Sequence, residues 1–327
     1  KDDVIIIDFE GEPSRTLDAY LRWIDAGMHG TMGYLARPDR VARRRDLSVI
    51  LPGARSMIVV GLDYRSAAVG RDVLSDPRRG RIAAYAWGAD YHDVMGEKLR
   101  ALGQWLADGA DPTPRPVYAQ GEGEMSNDSG TAAAYKYYVD TGAVLERSHA
   151  QESGFGFIGK NTMLIHPRRG STFFLGEMIT DAEFDAYDRP MQDGPTCGTC
   201  TRCLQACPTD AFPAPHVLDA RKCISYHTIE NKGAIPADLR AKFGNWVFGC
   251  DVCQDVCPFQ RFAPPPVMSR FYRTFSADEL IQFWRLTIPA KARFPRIFSG
   301  EPCEMGAKSS IRKVLKPSAA FRLIRKP

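Results

Sequence analysis

The sequence predicts an α/β protein of layered helices and strands, followed by a separate cysteine-rich segment. Short β-branched runs alternate with stretches of helical spacing over residues 1–185, a pattern typical of a sheet covered by helices. Eight of the nine cysteines lie between Cys197 and Cys257. We therefore expect three units: an α/β domain over residues 1–185, a cysteine-rich domain over residues 186–265, and a short basic helical segment over residues 266–327.

The elements of the first unit follow from hydrophobic spacing and from glycine punctuation. Residues 4–7 and 56–62 predict buried strands, and residues 17–26 predict a helix that ends at Gly27. Residues 81–87 and 91–106 also have helical character. Later elements are a strand over residues 135–140, a helix over 145–152, and strands over 162–166 and 171–179. Residues 111–134 are rich in Pro, Gly and Ser and predict an exposed excursion.

The composition is that of an ordinary globular chain, with 44% hydrophobic and 25% charged residues in 327. No apolar run approaches the ~18 residues that a membrane span needs, so we expect no membrane association. The net charge of +4 is too small to indicate nucleic acid by itself. Residues 306–327 contain seven Lys/Arg and no acid, and residues 43–45 are all Arg. For either run alone, a solvated face is the simpler interpretation.

The cysteine spacing carries the strongest chemical signal. The run that begins at Cys197 reads C-x2-C-x2-C-x3-C-P, the pattern of bacterial ferredoxins, in which the fourth cysteine crosses to the other 4Fe–4S cluster. A second run begins at Cys250, and Cys223 stands between the two. The crossing rule predicts one cluster on Cys197, Cys200, Cys203 and Cys257. It predicts the second cluster on Cys207, Cys223, Cys250 and Cys253.

Zinc and disulfides are the alternatives for these cysteines. Zinc sites use C-x2-C pairs, but the triple spacing followed by x3-C-P is not a zinc pattern. Disulfides suit small secreted domains, whereas this chain is large and shows no signal peptide. The sequence therefore predicts a ferredoxin-like domain with two 4Fe–4S clusters and a reducing, cytoplasmic location. Cys303 is the ninth cysteine, and we expect a free thiol there.

Two further motifs suggest functions that their context does not favour. Gly154-Phe-Gly-Phe-Ile-Gly159-Lys160 fits both G-x-G-x-x-G and most of a P-loop. It follows a predicted helix and leads into a strand, and Asn161 stands where a P-loop needs Ser or Thr. Asp90-Tyr-His92 begins like an Asp-x-His-x-x-Gly loop that ligates cobalamin, but Met95 replaces the glycine. A partly buried structural histidine is the better interpretation of His92.

Several segments accompany the cysteine runs in a specific order. They are Ala86-Trp-Gly-Ala-Asp-Tyr-His92, Val139-Asp140-Thr-Gly, Phe157-Ile-Gly-Lys-Asn161, Gly170-Ser-Thr-Phe-Phe-Leu-Gly-Glu177, Cys223-Ile-Ser-Tyr226 and Gly244-Asn-Trp-Val-Phe-Gly-Cys250-Asp251. Together they resemble the epoxyqueuosine reductases, which are related to cobalamin-dependent reductive dehalogenases. The resemblance covers most of residues 20–262.

The resemblance implies a base-off cobalamin on a nitroreductase-like α+β layered domain, supplied with electrons by the two clusters. The substrate would be the epoxide of epoxyqueuosine in a tRNA anticodon loop, reduced to queuosine in the last step of queuosine biosynthesis. The implied partners are that tRNA and an external one-electron donor of the flavodoxin or ferredoxin type. We expect a monomer.

The resemblance also implies roles for individual residues. Asp140 occupies the position of the acid that protonates the epoxide oxygen. Donation near neutral pH requires a desolvated carboxylic acid, and the cofactor face with Tyr137 or Tyr138 could provide that environment. From local sequence alone, a turn Asp ahead of Thr-Gly would be favoured. The expected cobalamin contacts are Arg44, Ala83, Asp140, Leu164, Leu175, Ser225, Cys250 and Asp251. Lys232 matches a position expected to meet tRNA phosphate.

Two other functions remain open from the sequence. A cobalamin-dependent reductase of a small molecule, such as an organohalide, would share this architecture. A ferredoxin-like electron carrier would have clusters but no cobalamin and no chemistry of its own. More than 190 residues precede Cys197, which disfavours a simple carrier.

Overall fold

The computed structural model describes residues 3–8, 15–65, 76, 80–108 and 133–266. The predicted excursion, apart from residues 133–134, lies outside these residues. So do the predicted C-terminal helical segment and Cys303. Within the described part, no helix is long and apolar enough to cross a membrane.

Eight strands and eight α-helices make up the described part. The strands are β1 (Asp3–Asp8), β2 (Ser56–Asp63), β3 (Arg81–Ile82), β4 (Tyr135–Tyr138), β5 (Phe157–Ile158), β6 (Leu164–Ile165), β7 (Phe173–Thr180) and β8 (Trp246–Phe248). The helices are α1 (Arg15–Asp25), α2 (Pro38–Arg45), α3 (Tyr91–Ala107), α4 (Glu146–Glu152), α5 (Arg202–Ala206), α6 (Ile224–Ile229), α7 (Ala237–Arg240) and α8 (Val252–Asp255).

The main sheet has four strands in the order β1-β2-β7-β4, and each neighbouring pair is antiparallel. Strand β7 lies at its centre and is buried along almost its whole length. Side chains alternate between the two faces of a strand, so β2 and β7 each supply residues to two separate cores. The result is a mixed helix–strand fold with layers on both sides of one sheet.

Helices cover the two faces of this sheet differently. On one face, Ile58 and Met178 pack against Met95 and Leu99 of α3. Gly176 makes this approach possible, since a Cβ there would lie 2.9 Å from both the Met95 and the Leu99 side chains. On the other face, Met57, Val59 and Ile179 share a core with Ala150 of α4 and Leu164 of β6. Strand β4 forms one edge of the sheet, beside β7, and it ends at the loop that carries Asp140.

The predicted elements of the first unit are largely present, with one clear error. Residues 81–87 were expected to be helical, but Arg81–Ile82 is a strand that pairs in parallel with Trp246–Phe248, and only Ala84–Ala86 form a 3-10 turn. The Arg81 guanidinium lies 4.0 Å from the centre of the Trp246 ring. A long-range pairing therefore overrides a local helical pattern, which spacing alone cannot reveal.

The cysteine-rich segment packs directly against the first unit. The Trp23 indole N–H donates to the Leu218 carbonyl at 2.6 Å, and the Thr31 N–H donates to the Tyr226 hydroxyl at 2.7 Å. Ala83 joins Ile224 and Trp246 in a third core. These contacts connect chain segments far apart in sequence, so the two units share cores. The boundaries at residues 185 and 265 stay a prediction.

Candidate active site and cluster centres

Asp140 lies in the turn that follows β4, with the left-handed backbone angle φ of 62°. Non-glycine residues rarely adopt this conformation, and Asp and Asn tolerate it best. The Asp140 side chain is 65% exposed, and its Oδ2 accepts a hydrogen bond of 2.8 Å from the Tyr91 hydroxyl. His92 Nε2 lies 3.9 Å from the same oxygen. The turn thus presents a carboxyl group to open space beside two hydrogen-bonding side chains.

Two contacts hold this turn from behind. The Asp140 backbone N–H donates to Glu146 Oε1 at 3.0 Å, which connects the turn to the first residue of α4. Arg40 Nη1 donates to the Thr141 carbonyl at 2.9 Å, which connects it to α2. The position of the Asp140 carboxyl group is therefore set by both flanking helices.

Glu146 also forms an unusual buried pair with Glu177. Glu177 lies in the middle of β7 with 0% exposure, and no N–H group or hydroxyl of the described residues donates to either of its carboxyl oxygens. Burial, together with the charge of Asp140, raises the pKa of Glu146 to about 7. Burial together with the Glu146 charge holds the pKa of Glu177 well above its usual range. Two neighbouring buried carboxyl groups do not both ionise, so we infer that Glu146 and Glu177 share a proton.

This pair predicts a pH-dependent stability. Because the folded chain keeps the Glu146 proton to higher pH than the unfolded chain, the free energy of unfolding falls as pH rises from about 4.5 to about 7. In Glu177→Gln, the amide can donate to the Glu146 carboxylate. We therefore expect this variant to gain about 1–2 kcal/mol over the wild type at pH 8 and nothing at pH 5. In anaerobic thermal unfolding at pH 8, the Tm of Glu177→Gln should be a few degrees higher than that of the wild type.

The matched control is Glu152→Gln on the same helix, whose carboxylate is partly exposed and lies 3.7 Å from the His149 ring. Its pH profile should follow that of the wild type in the same experiment. Parallel wild-type and Glu177→Gln profiles between pH 5 and pH 8 would contradict a shared proton.

A row of aromatic rings leads from Asp140 towards the second cysteine run. Tyr91 stacks on Phe174 at 4.3 Å and meets the Tyr85 ring edge-on at 6.4 Å. Tyr85 in turn lies 6.0 Å from Phe248, two residues before Cys250. Burial raises the pKa of Tyr91, and its hydrogen bond to Asp140 raises it further, so this hydroxyl stays protonated and remains a donor. The rings form one continuous wall between the acid and Cys250.

The residues expected around Cys250 are partly brought together. Asp251 Oδ2 accepts the Ala84 N–H at 2.7 Å, next to Ala83, which is 1% exposed. Burial raises the pKa of Asp251 to about 7. Thr228 Oγ1 bridges the Ser225 carbonyl at 3.2 Å and the Gly249 N–H at 3.0 Å. Ala83, Ser225, Cys250 and Asp251 therefore surround one region.

The other expected cofactor contacts lie elsewhere. Leu164 is buried and Leu175 is half-buried, and both pack in the core shared with α4. Only their backbones or part of the Leu175 side chain could meet a ligand. Arg44 lies over the Tyr20 ring at 5.0 Å, and burial lowers its pKa. Arg44 thus belongs with α2 and the Asp140 turn rather than with Cys250.

The seven cysteines of the two runs and Cys223 are free thiols, and their charges act on one another mainly within two groups. Burial raises the pKa of Cys203, and the charges of Cys197 and Cys257 raise it further. Burial also raises the pKa of Cys257, and the charges of Cys197 and Cys200 raise it further. Burial raises the pKa of Cys250 to about 12, with added effects from Cys223 and Cys207. Burial raises the pKa of Cys253, and among the charges those of Cys250, Cys223 and Cys207 raise it most.

These charge effects are consistent with the crossing rule, and the cluster to which each cysteine belongs stays a prediction. Among the described residues, no three His, Cys, Asp or Glu side chains are arranged to hold a single metal ion. The thiols of Cys250 and Cys253 are protonated when free, so cluster binding must release their protons.

The Gly154–Lys160 motif serves the cysteine segment. The motif contains β5, and a turn and then β6 follow it, with no helix. Lys160 Nζ donates to the carbonyls of Gly198 and Cys200 at 2.7 and 3.0 Å, and its backbone N–H points to Cys197 Sγ at 3.4 Å. Asn161 Nδ2 donates to the Cys253 carbonyl at 3.2 Å. The Gly-Lys-Asn sequence therefore holds both cysteine runs on the first unit.

Lys232, the expected phosphate contact, is exposed on the loop after α6. Burial raises the pKa of Tyr34, and the nearby charges of Glu230 and Asp140 raise it further. The Tyr34 hydroxyl thus lies near the charges of both Glu230 and Asp140. Arg43 and Arg45 on α2 are also exposed.

Sequence reasoning missed four residues of this site: Tyr91, Glu146, Arg147 and Glu177. Tyr91 donates the hydrogen bond to Asp140, and the desolvation expected from Tyr137 or Tyr138 stays a prediction. Asp90 caps α3 by accepting the His92 N–H at 3.1 Å, and this cap directs the Tyr91 side chain to the turn. Of these four residues, Glu177 could have been found from the sequence, because an acid in the middle of an apolar strand is rare.

The fold and the paired cysteine groups define an iron–sulfur oxidoreductase with an acidic residue at its open site. Residues 196–260 match the "4Fe-4S double cluster binding domain", and residues 44–141 match "Epoxyqueuosine reductase QueG, DUF1730". An epoxyqueuosine reductase from Synechocystis is 42% identical over 251 residues, or 76% of each chain. The chain belongs to the epoxyqueuosine reductase family.

Solved structures agree with this assignment. The epoxyqueuosine reductase from Bacillus subtilis has a TM-score of 0.70 and 28% identity, over 96% of this chain and 76% of that one. An epoxyqueuosine reductase with an epoxyqueuosine-modified tRNA-Tyr stem loop has a TM-score of 0.69 and 29% identity, with the same coverage. The resemblance seen in the sequence is thereby confirmed.

Proposed function

We propose that this protein reduces epoxyqueuosine to queuosine in the anticodon loop of tRNA, using two 4Fe–4S clusters and a base-off cobalamin. The family membership supports the reaction, and the solved relative with an epoxyqueuosine-modified stem loop supports the substrate. The observation that carries the proposal is the aromatic wall that joins Asp140 to the neighbourhood of Cys250. Acid and reducing centre then face one common space.

The residues present fit two clusters. One would be held by Cys197, Cys200, Cys203 and Cys257, and the other by Cys207, Cys223, Cys250 and Cys253. Backbone N–H groups point at two of the thiols: Lys160 N–H at Cys197 Sγ and Ala211 N–H at Cys207 Sγ, each at 3.4 Å. Such N–H···S contacts stabilise the negative charge of a bound cluster. The clusters would relay single electrons from an external donor.

The residues also fit a large, flat cofactor. Arg147 is exposed to solvent next to Glu146, and its guanidinium donates to the Thr162 carbonyl. The exposed carboxyl group of Asp140 and the rings of Tyr85 and Tyr91 face the same region. Ala83, Ser225, Cys250 and Asp251 would contact cobalamin near the second cluster, and Arg44, Leu164 and Leu175 would contact it elsewhere. Bound there, cobalamin would supply a strongly nucleophilic reduced cobalt for attack on the epoxide.

Asp140 provides the acid for this chemistry. Reduction of an epoxide to an alkene consumes two electrons and two protons and releases water. Asp140 Oδ would donate a proton to the epoxide oxygen as the ring opens, and Tyr91 would orient the carboxyl group through its hydrogen bond. Glu146 is a positioning residue, because it acts on the Asp140 backbone. The solved Bacillus subtilis enzyme has a catalytic loop that carries an aspartate, which supports a catalytic role for the Asp140 turn.

The tRNA would approach over the side of the molecule formed by α2 and the loop that carries Lys232. Arg43, Arg45 and Lys232 are exposed there, and Arg40 is hydrogen-bonded to the Asp140 turn. Phosphate contacts supply most of the affinity for nucleic acid, and these cations would hold the backbone while the modified base enters the cavity. This arrangement favours a tRNA substrate over a small organohalide.

Anaerobic reconstitution tests the proposal. The reconstituted protein is incubated with cobalamin, dithionite and a stem loop that contains epoxyqueuosine. We expect conversion of epoxyqueuosine to queuosine, which mass spectrometry of the digested RNA would measure. Omission of cobalamin should abolish conversion, and iron-depleted protein should be inactive. Cobalamin binding without any conversion of the RNA would favour the small-molecule reductase, and an absence of cobalamin binding would favour a simple electron carrier.

A further inference from the structure

A concave surface of about 740 Å³ opens beside the first cluster group. It is lined by the ends of both cysteine runs, and Cys257 itself forms part of its wall. Arg65, Arg202 and Arg261 surround this surface, which also includes Val256 and Pro258. None of these residues belongs to the Asp140 site. We refer to this feature as the arginine hollow.

Cys257 connects the arginine hollow to the first cluster group. Its thiol is partly buried and forms part of the wall of the hollow, and the crossing rule predicts it as a ligand of that cluster. Cys253, four residues earlier in the same run, is a predicted ligand of the second cluster. An electron that enters at Cys257 would therefore pass through both predicted clusters to the cofactor region that Asp140 faces.

The charges of the arginine hollow favour an acidic partner. Its one lining acid, Asp255, lies 3.8 Å from Arg65. Arg202 and Arg261 are exposed, and no carboxylate of the described residues lies within ion-pair distance of either. Arg261 stacks at 4.5 Å on Phe262, which is 45% exposed. Exposed arginines beside an exposed aromatic ring are typical of protein interfaces, in which Arg and Phe are enriched.

We propose that the arginine hollow is the docking surface for an acidic one-electron carrier protein, which delivers electrons to the cluster held by Cys257. This inference rests on the proposed function. Each encounter would transfer one electron from the reduced carrier to that cluster, so two encounters would supply the two electrons consumed by one epoxide. Opposite charges on the carrier would guide the encounter and increase its rate.

An RNA backbone is the competing occupant, since arginines also bind phosphate. Three features favour a protein: the cluster cysteine in the wall, the apolar residues Val256 and Pro258, and the exposed Phe262 ring. A phosphate backbone gains nothing from proximity to a cluster, whereas electron transfer requires it. The experiment below separates these two occupants.

The test uses the complete, cobalamin- and cluster-loaded protein with a flavodoxin of net negative charge as the reductant. For Arg202→Glu/Arg261→Glu we expect the KM for flavodoxin to rise at least about 10-fold, because two attractions become repulsions. Added salt should slow the wild type but no longer slow the variant. Calorimetric titration should show the same loss of flavodoxin binding in the absence of RNA. Turnover with dithionite should stay within about twofold of wild type.

Arg22→Glu is the matched control, since Arg22 is an exposed arginine on α1 outside the hollow, and it should leave the KM for flavodoxin unchanged. An unchanged KM in the double variant would overturn the proposal. Equal losses with flavodoxin and dithionite would also overturn it, because the arginines would then serve cluster integrity. A higher KM for the stem loop with an unchanged KM for flavodoxin would assign the hollow to RNA.

Failure of the proposed function would look different. In that case no reductant would convert epoxyqueuosine, but stopped-flow oxidation of reduced flavodoxin by the clusters would still be measurable. The same double variant should slow this oxidation step, and Arg22→Glu should not.

Discussion

Asp140→Asn is expected to lower turnover of the epoxyqueuosine stem loop by at least about 100-fold, the usual contribution of a positioned general acid. Asparagine keeps the size of the side chain, tolerates the left-handed φ of 62°, and still accepts the Tyr91 hydrogen bond through its amide oxygen. The variant loses only the proton that the carboxyl group gives to the epoxide oxygen. Single-turnover assays with pre-reduced protein would measure the chemical step directly.

The control is Asp93→Asn, an exposed acid in the first turn of α3 near the same site, which should turn over normally. Cobalamin and iron contents of both variants should equal those of the wild type. Normal single-turnover rates in Asp140→Asn would exclude Asp140 as the acid. An inactive variant that has also lost cobalamin would assign Asp140 to cofactor binding instead.

Cys257→Ser should abolish turnover and reduce the iron content from roughly eight to roughly four atoms per chain, because it removes a ligand of one cluster only. The crossing rule makes a sharper prediction when Cys250→Ser is prepared in parallel. Cys257 groups with Cys197 and Cys200, whereas Cys250 groups with Cys223 and Cys207. The two variants should therefore retain different clusters, which electron paramagnetic resonance of the reduced proteins can distinguish.

Cys303→Ser serves as the control for iron content, since this ninth cysteine has no place in either predicted group and should keep both clusters. Identical surviving signals in Cys257→Ser and Cys250→Ser would mean that both cysteines ligate the same cluster. The crossing rule would then be wrong for this chain.

The cluster ligands could be predicted from the sequence because the crossing rule depends on local spacing, and the role of Asp140 could be predicted from the family resemblance. The C-x2-C-x2-C-x3-C-P run encodes its chemistry within a few residues, and Val139-Asp140-Thr-Gly carries a specific resemblance. The central strands were also predictable, since a run such as residues 56–62 is apolar enough to be buried wherever it lies.

The environment of the acid could not be predicted, because it depends on pairing between distant segments. Tyr91 reaches Asp140 across 49 residues of sequence, and Glu177 meets Glu146 only because β7 lies at the centre of the sheet and faces α4. The incorrect prediction of a helix over residues 81–87 has the same cause, since Arg81–Ile82 pairs with a strand that begins at Trp246. Composition and spacing contain no information about such partners.

The attachment of the cysteine segment to the first unit has a consequence for handling the protein in air. Lys160 and Asn161 bind the carbonyls of both cysteine runs, and Tyr226, three residues after Cys223, holds the turn after α1. Oxidative loss of a cluster would release these loops and, with them, the supports of α1 and the Gly-Lys-Asn turn. Oxygen damage should therefore weaken substrate and cobalamin binding as well as electron supply, and apparent affinities measured on aerobically purified protein should underestimate the true ones.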